Sequence, residues 1–209
     1  MRVLHSFPKP QPRRLGQVWP VHGVNVFQDT LRVVTMRAGA NIDVDGAPTA
    51  YSLIHPALDV VADAGWPNGW GNVLIADPEN PAHPFVDSDG YFVSSTSYRI
   101  PGYPVTDHRA WLDASKVPYA VINPIVRKKC RGIILGCMVY VSCNGVTVEM
   151  VCGDVSGPNS IGEISAEGAR RLGIPDSAID GGIGSGVSYA FHCDVPAVID
   201  GVQYELQAA

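Results

Sequence analysis

Apolar positions along this chain recur mostly in short runs of period two, the signature of strands with one face buried. The strongest pattern lies in the second half. Residues 133–143 and 146–152 are β-prone runs joined by Asn144-Gly145, a dipeptide that favours the two-residue type I′ turn. That turn predicts pairing of Val141 with Val148, Val139 with Met150 and Cys137 with Cys152 on one apolar face. Ser142 with Thr147 and Tyr140 with Glu149 fall on the wetter face. Shorter β-prone runs at 31–36, 72–75, 91–95 and 119–122 are separated by turn clusters such as Asp45-Gly46, Pro67-Asn68-Gly69 and Asp87-Ser88-Asp89-Gly90. One helix is well signalled, over 166–172, with Ser165 as cap, Gly173 as stop and Pro175 beyond. Residues 1–30 are Pro-punctuated and read as an extended N-terminal arm with short strands, leaving 31–209 as a single β-rich domain. The fold class expected is mainly β, a sheet or barrel with a few short helices.

The alternation of the second hairpin strand continues into something less ordinary. With Val148, Met150 and Cys152 pointing inward, Asp154 emerges on the same core-facing side if the strand persists through Gly153. A tight Gly/Pro segment follows, and then Glu163 stands just before the helix, where free N–H groups favour negative charge. A strand end and a helix entry joined by such a loop can aim two carboxyls into one cleft, in environments that push their proton affinities apart. The plain alternative is a turn-making Asp and a capping Glu.

Composition narrows the choices. Of 209 residues, 46% are hydrophobic and 17% charged, which excludes disorder. The net charge of −5 and the scattered Lys and Arg leave no continuous basic face for nucleic acid. No run of 18 or more apolar residues offers a membrane-spanning helix, and the first residues, rich in Pro, Lys and Arg, lack the apolar centre of a signal peptide. The five cysteines lack metal spacing and read as core thiols, with one or two disulfides as the alternative. The six histidines share no zinc-ligand spacing. No cofactor or metal is expected. Gly181 to Gly186 does not fit G-x-G-x-x-G and reads as a loop, and Ser94 to Ser97 lack the nucleophile elbow of a serine hydrolase.

The segment Gly153-Asp154-Val155-Ser156-Gly157-Pro158-Asn159-Ser160-Ile161-Gly162-Glu163-Ile164-Ser165 resembles the signature of the glycoside hydrolase family 75 chitosanases, in which a Gly-Asp is followed nine residues after the Asp by a Gly-Glu. Ala169, Leu172, Gly173 and Val187-Ser188-Tyr189-Ala190-Phe191 are similar to the family's next helix and strand. Upstream, residues 42–51, Leu58-Asp59 with Ala64-Gly65, residues 94–98 and residues 113–119 resemble bacterial and phage relatives, so the likeness runs in order from about 41 to 191. The resemblance implies hydrolysis of a β-1,4-linked amino-sugar polymer with inversion, Asp154 and Glu163 as the catalytic acids, and a barrel of double-psi type. The sequence leaves both assignments of their roles open: Glu163 as acid with Asp154 as base, or the reverse, which desolvation of a core-facing Asp154 favours. The resemblance also implies action outside the producing cell, or as a phage lytic or virion protein.

The polymer expected is of chitosan type; because this loop has Ser156-Gly157-Pro158 where fungal members carry a further acid, the N-acetylated glycan of peptidoglycan is the alternative. A non-catalytic cell-wall-binding or virion module of the same fold is the remaining alternative. Asp43 and Asp45 either face the cleft or make a turn. Tyr51, Trp66, Trp70, Tyr98 and Trp111 can stack on sugar rings or pack in the core, with Trp66 and Trp70 favoured by their loop. Lys116 either bridges to a catalytic acid or decorates a strand end. The partner expected is a polysaccharide, not nucleic acid or membrane.

Overall fold

A computed structural model describes residues 15–207. Ten strands and two short α-helices follow in chain order. They are β1 (Leu15–Val21), β2 (Val24–Asp29), β3 (Val33–Asp43), β4 (Tyr119–Ile122), α1 (Pro124–Lys129), β5 (Cys137–Cys143), β6 (Val146–Val155), β7 (Glu163–Ser165), α2 (Ala166–Leu172), β8 (Ile183–Pro196), β9 (Val198–Ile199) and β10 (Val202–Gln203). Strands β3-β7-β4-β6-β5-β8 close on themselves through a β3–β8 pairing, making a six-stranded barrel, so the expected mainly β barrel with few helices is what forms. The ring combines antiparallel pairings with two parallel ones, β3–β7 and β4–β6. Among the described residues no helix is long and apolar enough to cross a membrane.

The β5–β6 hairpin takes the register its turn dictates, pairing Val139 with Met150 and Val141 with Val148. Asn144 and Gly145 adopt φ of 48° and 85°, as a type I′ turn requires. Val139, Val141, Met150 and Cys152 are fully buried, and all five cysteines are buried free thiols. Helix α2 is capped by the Ser165 hydroxyl, which accepts from the Gly168 N–H, and Gly173 ends it with a left-handed φ of 71°.

Three expectations shift. The strand expected at 31–36 runs instead to Asp43, because Ala38 to Asp43 continue the ladder first on β8 and then on β7. The runs at 72–75 and 91–95 form no ladder. They lie in a long excursion between β3 and β4 held by isolated bridges, Leu74 with Ser94 and Tyr51 with Phe92, since tight turns interrupt each run after a pair or two. Residues 1–14 of the expected arm lie outside the described residues. Its remainder is the β1–β2 hairpin, laid on β3 with Val26 in the core.

Candidate active site

Strand β4 organises the site. Its Val121 pairs with Asp154 of β6 on one side and with Glu163 of β7 on the other. Residues in register across strands project from the same face, and two strand spacings amount to about 9.6 Å between backbones. Both side chains line one cavity of about 660 Å³, with Asp43, Asp45, Tyr51, Asp59, Asp63 and Ser97 among the other lining residues.

Each catalytic candidate follows a glycine for a packing reason. A Cβ on Gly153 would lie 2.6 Å from Leu112 Cδ1 and 2.7 Å from Tyr119 Cβ. Gly162 has a φ of +87°, and a Cβ there would come within 2.6 Å of the Gly39 carbonyl oxygen. The loop between them is tied down by Asn123, whose amide donates to the Pro158 and Ser160 carbonyls at 3.1 and 2.6 Å. The His22 ring at the tip of the β1–β2 hairpin bonds the same Pro158 oxygen at 2.6 Å.

The two carboxyls are held differently. Asp154 is 7% exposed. Its Oδ1 accepts from the Ser97 N–H at 2.8 Å, the Ser97 hydroxyl at 2.6 Å and the Val155 N–H at 2.6 Å. Glu163 has one long contact, from the Ser160 hydroxyl at 3.4 Å. Burial pushes Asp154 up to about 6, against the pull of its three donors. Glu163 is pushed up to about 7, by burial first and the Asp154 charge second. The carboxyl with fewer donors therefore keeps its proton to higher pH.

Asp43 and Asp45 turn out to do both things considered for them. The Asp43 carboxylate accepts from the Asp45 N–H at 2.8 Å, a turn-type bond, while both side chains line the cavity. Asp45 also accepts from the Tyr51 hydroxyl at 2.9 Å. One oxygen from each of Asp43, Asp45 and Asp154 lies within 4.8 Å of the other two, close enough to share a cation. Among the described residues that line the cavity there is no Lys, Arg or His to balance them. Burial, and then neighbouring charge, raises Asp43 and Asp45 well above the ordinary carboxyl value, so the cluster can reduce its repulsion by holding protons.

Of the other residues singled out from sequence, Tyr51 lines the cavity, whereas Trp66, Trp70, Tyr98 and Lys116 do not. Trp66 packs on Phe92 at a ring separation of 5.9 Å, and Trp70 lies against the core. Tyr98 is buried edge-on to Tyr204, an environment that leaves no face for a sugar. Lys116 pairs with Asp113 at 2.8 Å on the surface, so it decorates a strand end rather than bridging to a catalytic acid. Trp111 is also buried, its indole N–H donating to the Val105 carbonyl at 2.9 Å.

Sequence reasoning missed Asp59, Asp63 and Ser97. The first two sit in a turn-rich stretch with no periodicity, and Ser97 reaches its partner across 57 residues of chain. The chain matches no protein-family model and no curated protein.

Proposed function

We propose that this protein is a glycoside hydrolase that cleaves β-1,4 linkages in an amino-sugar polymer of chitosan type, by inversion, with Glu163 as general acid and Asp154 as general base. The observation that carries the reading is the pair flanking Val121: two carboxyls on one face of the barrel wall, one strand apart on either side, in a shared cavity. Backbones about 9.6 Å apart with parallel side chains suit the roughly 6.5–9.5 Å between carboxyls that leaves room for water. Glu163, with little to stabilise its anion, protonates the departing glycosidic oxygen. Asp154, held as the anion by three donors, removes a proton from the water that attacks the anomeric carbon from the opposite face. The cycle ends with Asp154 protonated and Glu163 ionised, and exchange with solvent restores both.

The substrate class follows from charge. Asp43, Asp45, Asp59, Asp63, Asp154 and Glu163 face the cavity without a lining cation, and even with Glu163 and part of the Asp43–Asp45 cluster protonated the remaining anions make a field that suits protonated glucosamine units better than neutral N-acetylated ones. Asp59 and Asp63 thus supply, from the excursion, the acidity missing at Ser156-Gly157-Pro158.

The test is reducing-end release from chitosan and, in parallel, from purified peptidoglycan, by wild type, Asp154→Asn and Glu163→Gln, with circular dichroism to confirm folding. Release from chitosan that both substitutions abolish is the expected result. Release from peptidoglycan alone would reassign the polymer. No release from either would leave a binding or structural module.

A further inference from the structure

Hydrolysis by two carboxyls requires that one be ionised while the other keeps its proton, and that the ionised one present a free oxygen to water. Asp154 does not achieve this alone. All three of its hydrogen bonds fall on Oδ1, and two of them come from Ser97. Ser97 is carried on the excursion rather than on the barrel wall. Its neighbour Tyr98 donates its N–H to the Gly153 carbonyl at 2.9 Å, which fastens this segment alongside the strand end bearing Asp154. The Thr96 hydroxyl, donating to the Tyr98 carbonyl at 2.7 Å, stiffens the same segment from the other side. A hydroxyl and an amide aimed at one carboxylate oxygen favour the anion, and they leave Oδ2 as the oxygen that takes a proton.

We propose that Ser97 is a positioning residue of this reaction: with its hydroxyl and its backbone N–H it holds Asp154 by Oδ1 as the ionised base and reserves Oδ2 for the attacking water. The proposal rests on the glycosidase reading and assigns it a residue outside the acidic pair. Without the hydroxyl, Asp154 binds its proton more tightly and approaches Glu163 in proton affinity. The state with base ionised and acid protonated then loses more than half of its population at the optimum. Ser97 is exposed to the cavity and Ala is smaller, so the fold tolerates the change.

The experiment follows the carboxyl carbon resonances of Asp154 and Glu163 through a pH titration in wild type, Ser97→Ala and Ser97→Thr, alongside kcat/KM on chitosan as a function of pH. In Ser97→Ala the Asp154 midpoint should rise by about one pH unit, the size of one charge-assisted hydrogen bond, with Glu163 much less affected. The acid limb of kcat/KM should move up in step, and the maximum should fall roughly two- to threefold. Ser97→Thr, which keeps the hydroxyl, should restore most of both. An Asp154 titration unchanged in Ser97→Ala, or a uniform loss of activity with no shift of the acid limb, would overturn the proposal. A wild-type protein that cuts neither polymer overturns the glycosidase reading instead. The Ser97→Ala titration then decides separately whether Ser97 sets the state of Asp154.

Discussion

The barrel wall and the excursion between β3 and β4 both contribute carboxyls to the cavity, yet they treat them in opposite ways. Asp43, Asp154 and Glu163 stand on strands whose backbones are bonded on both sides, and their proton affinities are raised chiefly by burial. Asp59 and Asp63 sit on turns at the rim, where water reaches them; Asp59 is raised by burial too, but with a backbone N–H from Val60 and the neighbouring Asp63 acting on it in opposite senses. The wall fixes where charge sits and how strongly it holds a proton. The outer turns of the excursion add charge that water reaches, whereas Asp45 at its start is raised by burial as the wall carboxyls are. In the glycosidase reading proposed above, the chemistry belongs to the first kind of site and selection of a cationic polymer to the second.

The largest expected effect is on the wall. Asp154→Asn and Glu163→Gln should each lower kcat on chitosan by about a thousandfold or more while circular dichroism stays unchanged, since each removes a proton-transfer group. Loss of similar size in Asp59→Asn would erase the distinction between the two regions.

Backbone packing comes next. Gly153→Ala drives a Cβ into Leu112 and Tyr119 and should cost about 1–3 kcal/mol, read as a fall in Tm of several degrees. Gly71→Ala in the excursion meets nothing within 4 Å and should leave Tm almost unmoved.

Stability should also depend on pH through the wall. Asp154 and Glu163 titrate near 6 and 7 in the folded chain, above their unfolded values. The folded state therefore binds protons that the unfolded chain releases. The stability this confers is complete at about pH 4 and is lost as pH rises through 6 and 7. Tm should be higher at pH 5 than at pH 8, and Asp43→Asn, which removes one crowded charge, should raise Tm at pH 8 more than at pH 5. Equal Tm at both values would mean that these carboxyls are not crowded.

The smallest effect belongs to the rim. Asp59→Asn and Asp63→Asn should raise KM for chitosan a few-fold, with kcat nearly intact, and the difference from wild type should shrink in 0.5 M salt, where charges are screened beyond roughly 4 Å.

Local chemistry made much of this legible. A type I′ turn needs positive φ at two adjacent residues, so Asn144-Gly145 dictates the register of β5 against β6. The alternation expected to carry Asp154 onto the Cys152 face breaks at Gly153: Cys152 lies opposite Ala120 but Asp154 lies opposite Val121, so this irregularity turns Asp154 to the Val121 face and into the cavity. The glycines before Asp154 and Glu163 were visible as a motif, while their cause, the closeness of Tyr119 on one side and Gly39 on the other, was not. Aromatic residues misled because a Trp in a loop and a Trp packed on a Phe look alike in one dimension.

Turn type, strand period and helix capping depend on neighbours within a few residues, and for that reason the hairpin, helix α2 and the order of the two acids stand in the sequence. The convergence of the site does not. Asp154 and Glu163 share a cavity because β4, from more than thirty residues earlier, inserts between β6 and β7, a parallel and an antiparallel pairing that no local pattern encodes. Ser97, Asp59 and Asp63 reach that cavity only because the excursion folds back over the barrel. Which carboxyl holds its proton was likewise decided in three dimensions, by three donors converging on Asp154 and one distant hydroxyl near Glu163.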